Sequence, residues 1–341
     1  MGILGLPQSG KSTLFEIMTG VNDRDSHGEP CQRGLAMVPD SRFDHLVDIF
    51  QPLKASPARV PFIDVNSRGD NAGESIRQVL NGSDGLVHVV DGFSSPNIQD
   101  ILGHYRKLAD DLILSDLLIV ENRLERLARL TAKALKPLDQ SHLQILPELK
   151  AHLEKGLPLR DMNLSDDVLS SIKSFSFLTI RPELVVINLG ENDALDTNAS
   201  CNMSDFPLPA IDISCRIEAE LVGLSLPEQE AFLNDMGIDE PAFRRIIRES
   251  FSLLGRISYF TVGEDEVKAW VIPAGSRAPR AAAAIHKDFE RGFIKAEVVS
   301  YDDFVACGNT LAGAKAAGRL RLEGKDYVIK DGDIVSFRFN V

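Results

Sequence analysis

The run Gly5-Leu6-Pro7-Gln8-Ser9-Gly10-Lys11-Ser12-Thr13 has the spacing G-x-x-x-x-G-K-[ST], and it constrains this chain more than any other feature does. Such a run works only where a buried strand ends, a glycine-rich turn follows and a helix begins. It therefore fixes an α/β sheet of nucleotide-binding type. Its glycines let consecutive N–H groups close around phosphate oxygens, Lys11 reaches toward the β- and γ-phosphates, and the Ser12 hydroxyl suits Mg²⁺. Pro7, Gln8, Ser9, Gly10, Lys11, Ser12 and Thr13 are thus nucleotide-binding candidates, with Lys11 also a catalytic one. The flanks agree: Gly2-Ile3-Leu4 reads as the end of an apolar strand, and Thr13 to Met18 as a helix whose N-terminal N–H groups and dipole favour a polyanion. That strand is short for a buried parallel one, so the expectation is that a few residues precede it.

Hydrophobic periodicity extends this pattern along the first 98 residues. Leu35 to Val38, Val60 to Val65 and Gly85 to Asp91 are apolar runs of strand length, while Ser41 to Phe50 and Glu74 to Leu80 read as helices. Alternation of this kind predicts a mostly parallel sheet with helices on both faces. Near residue 100 the period changes. Ile113, Leu117, Val120, Leu124, Leu127, Thr131 and Ala134 are spaced alternately by four and three, a coiled-coil seam that closes at Lys136-Pro137. Leu146, Leu149, Leu153 and Leu157 supply a matching stripe beyond a polar turn at Asp139-Gln140-Ser141, which predicts an antiparallel helical hairpin.

The α/β pattern resumes with Leu184 to Asn188 and Ala210 to Ser214, two runs ending in polar residues where the ligand edge of an open parallel sheet lies. Residues 1–98 and 180–255 thus form one nucleotide domain, interrupted by a helical insertion at 99–179. From 256 to 341 a separate α+β domain is expected, with strands at 259–261, 269–272, 327–329 and 335–339 around one Ala-rich helix after Pro279.

Charge and composition exclude several classes. Residues 256–341 carry 13 Lys and Arg against 12 Asp and Glu, a net of +1, so of the overall −13 the first 255 residues hold −14. Neither part offers the basic block that tight binding to bare DNA or RNA needs. No apolar run is long enough to span a membrane, and the four cysteines lack metal-ligand spacing. A cytoplasmic multidomain protein with free thiols is expected.

Several segments resemble one family, the Obg-like ATPases, which are the YchF-type branch of the translation-factor GTPases. The resemblance is carried by the phosphate loop, by Ser-Phe-Leu-Thr-Ile-Arg-Pro at 176–182, by Ile-Glu-Ala-Glu-Leu at 217–221, and by the runs 260–270, 285–298 and 321–341. It implies a G domain, an inserted helical hairpin and a C-terminal TGS domain of β-grasp type. It further implies a Mg²⁺-dependent ATPase, with GTP secondary, whose nucleotide state controls contact with the ribosome or its RNA. Asn188-Leu189-Gly190-Glu191 matches the family's N-x-x-E in place of N-K-x-D, whose Asp accepts two hydrogen bonds from guanine donors that adenine lacks. Asn188, Leu189 and Glu191 are accordingly base-site candidates, and Ser214-Cys215 stands where the family has a small pair lining that pocket. Asp64 corresponds to a carboxylate that holds Mg²⁺ through water. Lys287, Arg291, Lys295, Lys315, Arg319 and Arg321 form either an RNA-facing surface or an ordinary mixed-charge one.

The resemblance fails at the switches. The family's Cys-Thr pair, whose Thr hydroxyl reaches Mg²⁺, is here Cys31-Gln32, and no threonine occurs between Thr19 and Thr131. The D-x-x-G element reads Asp64-Val65-Asn66-Ser67; Ser67 keeps the N–H, although a left-handed backbone there costs ~1–2 kcal/mol. Arg68 follows, as a candidate internal arginine finger or a solvated loop residue. Gln8 replaces a usual Asn, and the family's loop His matches Asp100, with His104 four residues on as a substitute or a packing residue. Three functions stay open: a slow Mg²⁺-dependent ATPase, a nucleotide-gated binding module without hydrolysis, and a P-loop kinase, against which the base-binding strand and the TGS-like tail argue.

Overall fold

The computed structural model describes residues 1–21, 31–65, 77–80, 82–95, 97–131, 134–191 and 206–340. The chain runs β1 (Gly2–Gly5), α1 (Lys11–Thr19), β2 (Cys31–Met37), α2 (Ser41–Phe50), β3 (Lys54–Ser56) and β4 (Arg59–Val65), then a helical stretch at 77–80 and β5 (Leu86–Asp91). Two long helices follow, α3 (Ile98–Ala128) and α4 (Pro137–Leu153), with a short α5 (Asp166–Ile172). The sheet resumes with β6 (Glu183–Asn188) and β7 (Ala210–Ile213) before α6 (Cys215–Val222), α7 (Leu226–Met236) and α8 (Ala242–Leu253). Beyond these come β8 (Arg256–Thr261), β9 (Glu266–Pro273), α9 (Ala278–Ile285), α10 (Lys287–Arg291), β10 (Phe293–Ser300), α11 (Tyr301–Ala306), α12 (Leu311–Ala316), β11 (Arg321–Glu323) and β12 (Asp333–Phe339).

By contact, the chain forms two compact units: residues 1–34 with 61–246, and residues 35–60 with 247–341. In the first, the sheet order is β2-β4-β1-β5-β6-β7, parallel from β4 through β7. The central strands β5 and β6 are buried along nearly their whole length, as strands covered on both faces must be, which explains their uninterrupted apolar runs. β1 is short yet paired on both sides, Gly2 opposite both Ile63 and Leu86, and this central position holds the phosphate loop at a fixed point of the sheet.

The helical insertion packs as its spacing requires. Ile113, Val120 and Leu127 of α3 share one core with Leu146, Leu149 and Leu153 of α4, and Leu117 and Leu124 lie against it. The seam ends earlier than the heptads suggest. α3 stops at Ala128, Thr131 and Ala134 are exposed, and Leu157 lies beyond α4 and is also exposed. Asp139-Gln140-Ser141 is not a turn: Pro137 opens α4, and the Asp139 carboxylate accepts the Lys136 N–H at 2.9 Å, capping the helix it was expected to precede. The segment 176–182 is tied to α3 through the fully buried Asp116. Its carboxylate accepts the N–H groups of Leu178 and Thr179 and the Thr179 hydroxyl, and pairs with Arg77 at 2.8 Å.

The second unit holds a sheet of order β11-β10-β12-β8-β9-β3. Its core gathers Tyr259, Ile272, Ala281, Ala282, Val298 and Val335. Within residues 256–340 four short helices accompany the strands rather than one, β10 and β11 are additional strands, and 327–329 contributes only the bridge between Val328 and Arg277. Residues 35–60, expected in the nucleotide domain, belong to this unit. β3 runs parallel to β9, with Ala55 opposite Val267. On α2, Arg42 pairs with Asp331 at 2.8 Å, His45 Nδ1 lies 2.7 Å from the Tyr301 hydroxyl, and the Phe50 ring stacks on Phe304.

No helix among the described residues is long and apolar enough to cross a membrane.

Candidate functional site

The site is assembled where β1, β4, β5, β6 and β7 end. Gly5 leaves β1 with no room for a side chain: a Cβ there would lie 2.4 Å from the Val89 carbonyl oxygen. Pro7 and Gln8 form the exposed crest of the loop, and Gln8 takes a left-handed backbone, φ 64°. Gly10, at φ 97°, then turns the chain into α1, and no side chain caps that helix. The first-turn N–H groups of Lys11, Ser12 and Thr13 are therefore available to an anion, and no acidic residue opposes one there.

The two residues with phosphate chemistry are held by the protein itself. Lys11 Nζ donates to the Leu6 carbonyl at 2.8 Å, and burial lowers its pKa from the ordinary lysine value against the opposing charge of Asp64. Ser12 Oγ donates to Asp64 Oδ2 at 2.7 Å, and Asp64 is fully buried near the end of β4. A hydroxyl and a carboxylate side by side are hard oxygen donors, and beside a phosphate cradle that set suits Mg²⁺. The Ser9 and Ser214 hydroxyls are buried and form no hydrogen bond among the described residues. Leaving each unsatisfied costs ~1–3 kcal/mol, which a polar ligand can offset.

Asn188, at the end of β6, joins the phosphate loop to the β7–α6 turn. Its side-chain amide donates to the Ser9 carbonyl at 3.1 Å, and its side-chain oxygen accepts the Cys215 N–H at 3.0 Å. Asn188 is buried, with both amide atoms engaged, so it positions two loops. Around this joint lies a cavity of about 740 Å³, within the range of nucleotide and drug-sized sites. The phosphate loop contributes Gln8, Gly10 and Thr13 to its wall, and the strand ends contribute Leu189, Glu191, Ser214 and Cys215. Burial pushes the Cys215 thiol up to about 12, with the Glu218 charge adding to the effect, so it lines the pocket as a small neutral group.

Several lining residues are not marked by the sequence, Phe93 and Arg216 among them. Phe93, which follows β5, supplies an aromatic face. Arg216, in the first turn of α6, pairs through Nε with Glu191 Oε1 at 2.6 Å. Its only signal in the sequence is its place directly after Cys215.

The remaining candidates are not gathered at this cavity. His104 donates Nδ1–H to the Asp91 carbonyl at 3.0 Å, which holds its ring at the end of β5, and Asp100 accepts the Ser95 hydroxyl. Cys31 and Gln32 are the first residues of β2, where Gln32 is buried. Ser67 and Arg68 lie outside the described residues.

Comparison with known proteins places this geometry in context. Residues 256–340 match the family model YchF-GTPase_C, described as a protein of unknown function (DUF933). The chain is 36% identical to the ribosome-binding ATPase YchF of Bacillus subtilis (strain 168), an alignment that covers 100% of this chain and 99% of that protein. It is 34% identical to the ribosome-binding ATPase YchF of Escherichia coli O157:H7 with the same coverage. Among solved structures it resembles the Schizosaccharomyces pombe YchF GTPase, with a TM-score of 0.84 at 27% identity over 99% of this chain and 97% of that one.

Proposed function

The chain belongs to the YchF family, and on that premise we propose that it is a P-loop ATPase that binds ATP in preference to GTP, hydrolyses it slowly and couples its nucleotide state to ribosome association in the cytoplasm. The observation that carries the nucleotide chemistry is the Ser12–Asp64 hydrogen bond beneath the glycine loop. It sets a hydroxyl and a buried carboxylate against the uncapped start of α1. Ser12 would hold Mg²⁺ directly and Asp64 through water, and the ion would neutralise charge on the β- and γ-phosphate oxygens. Lys11 exchanges the Leu6 carbonyl for phosphate oxygens, and its partly buried ammonium is little screened there. Asn188 keeps the loop and the base pocket in fixed relation, so phosphate and base are bound as one rigid unit. Purified protein should release phosphate from ATP above background, and Lys11→Ala should abolish the release. Equal release from the two proteins removes the proposal.

The burial of Gln32 in β2, where the family pattern has a Thr for Mg²⁺, favours a second reading, in which nucleotide is bound but not hydrolysed. That reading requires ATP binding with no single-turnover phosphate release. Ribosome association is supported by the names of the relatives, and co-sedimentation with ribosomes in the presence and absence of ATP tests it.

A further inference from the structure

Arg216 stands where a cation is unfavourable for the fold. It is the second residue of α6, in the first turn, where the helix dipole disfavours positive charge by ~0.3–1 kcal/mol. Its ion pair with Glu191 does little to compensate. The side chains are 77% and 45% exposed, and exposed pairs contribute ~0–1 kcal/mol. Both residues line the cavity at the level of the base-binding loop. Stability therefore does not account for Arg216, and its position against the base pocket does.

From this geometry we infer that Arg216 is a specificity-determining residue, which favours adenine by occupying one oxygen of Glu191. The inference rests on the proposed nucleotide site. A free carboxylate reads guanine with two oxygens, one accepting N1–H and the other N2–H₂. Here Arg216 Nε takes Oε1 at 2.6 Å. That contact leaves Oε2 and the two terminal guanidinium nitrogens outside it. The rest of the pair presents one acceptor beside donors. Adenine's Watson–Crick edge has the complementary order, an N6–H₂ donor beside the N1 acceptor. In the same pose guanine sets its O6 acceptor against Oε2 and its N1–H against the guanidinium, like against like, and is disfavoured.

The experiment measures the dissociation constants of ATP, GTP and ITP for the wild type and for Arg216→Met, which keeps the length of the side chain and removes its donors. Thermal melting checks that the variant is folded, as an exposed position should allow. The wild type should prefer ATP over GTP. In Arg216→Met that preference should fall about tenfold, because the freed carboxylate gains a charged hydrogen bond to guanine while adenine loses its N1 partner. ITP, which lacks the N2 amine, should gain less than GTP. An unchanged ratio of ATP to GTP affinity overturns the inference, as does an equal loss for both nucleotides or an equal gain for GTP and ITP. A wild type that binds neither ATP nor GTP overturns the nucleotide-site proposal, and this inference with it.

Discussion

Glu218 makes the stability of this protein depend on pH in a way its sequence does not announce. The side chain is buried on α6, and its Oε1 accepts the N–H of Ala242, the first residue of α8, at 2.6 Å. Its Oε2 is buried without a hydrogen bond among the described residues. Burial pushes the carboxyl up from 4.5 to about 7, against the N–H groups of Ala242 and Phe243 and the charge of Arg244, which pull it down. An acid raised on folding binds more protons folded than unfolded, so its contribution is present below 4.5 and is lost as pH rises through about 7. Glu218→Gln keeps the acceptor for Ala242 and fixes the neutral state, so it should be more stable than the wild type by an amount that grows with pH. At ~1.4 kcal/mol per pKa unit, the gain is about 1 kcal/mol at pH 5 and about 3 kcal/mol at pH 8. Urea denaturation of both proteins across that range reads the difference directly, and every other titrating group cancels in the comparison. A difference that is flat with pH would refute the assignment of a raised pKa to Glu218.

Three further perturbations follow from named contacts. Asp116→Ala leaves the Arg77 guanidinium and three donors at 178–179 without their acceptor, and should cost ~3–5 kcal/mol in urea denaturation; a loss below about 1 kcal/mol would show that the buried carboxylate holds little. Gly10→Ala forces a side chain into a left-handed backbone with its Cβ 2.4 Å from Asn188 Nδ2, so ATP binding by calorimetry should fall by more than tenfold, and wild-type affinity would contradict the joint described for Asn188. A chain cut after Gly255 removes the strands and helices that β3 and α2 pack against, exposing Phe43 and Leu46. It should bind hydrophobic dye and aggregate, whereas a monodisperse, cooperatively melting fragment would show that residues 35–60 need no C-terminal partner.

What was legible in the sequence was carried by residues close together in the chain. The phosphate loop works through nine consecutive residues, and the hairpin through a period that both helices keep, so each could be placed from spacing alone. Sequence and structure part where one signal has two structural meanings. Lys136-Pro137 reads as an end, but proline at the first helical position is equally a beginning, and Asp139 caps α4 in that role. β10 escaped because its register against β12 shifts between Phe293 and Lys295, and that irregularity breaks the alternation by which a half-buried strand is recognised. The Arg216–Glu191 pair and the Glu218 cap join positions 25 and 24 residues apart, and no local pattern marks either.

The division of the chain was hidden for a deeper reason. β3 is Lys54-Ala55-Ser56, three residues without a strong strand preference, which become a strand only because the backbone of β9 offers a parallel partner. α2 is an amphipathic helix whose membership is decided by Phe260, Tyr301, Phe304 and Asp331, all more than 200 residues away. A reading along the sequence sets the C-terminal domain off at a single point, near residue 255. The folded chain passes between its units three times, within β2 after Gly34, within β4 before Pro61 and within α8 after Ile246. Two of those passages lie in strands of the nucleotide sheet, and one of them, β4, carries Asp64 three residues beyond Pro61. The carboxylate that positions Ser12 and the point where the chain returns from residues 35–60 to the nucleotide unit are thus parts of one strand.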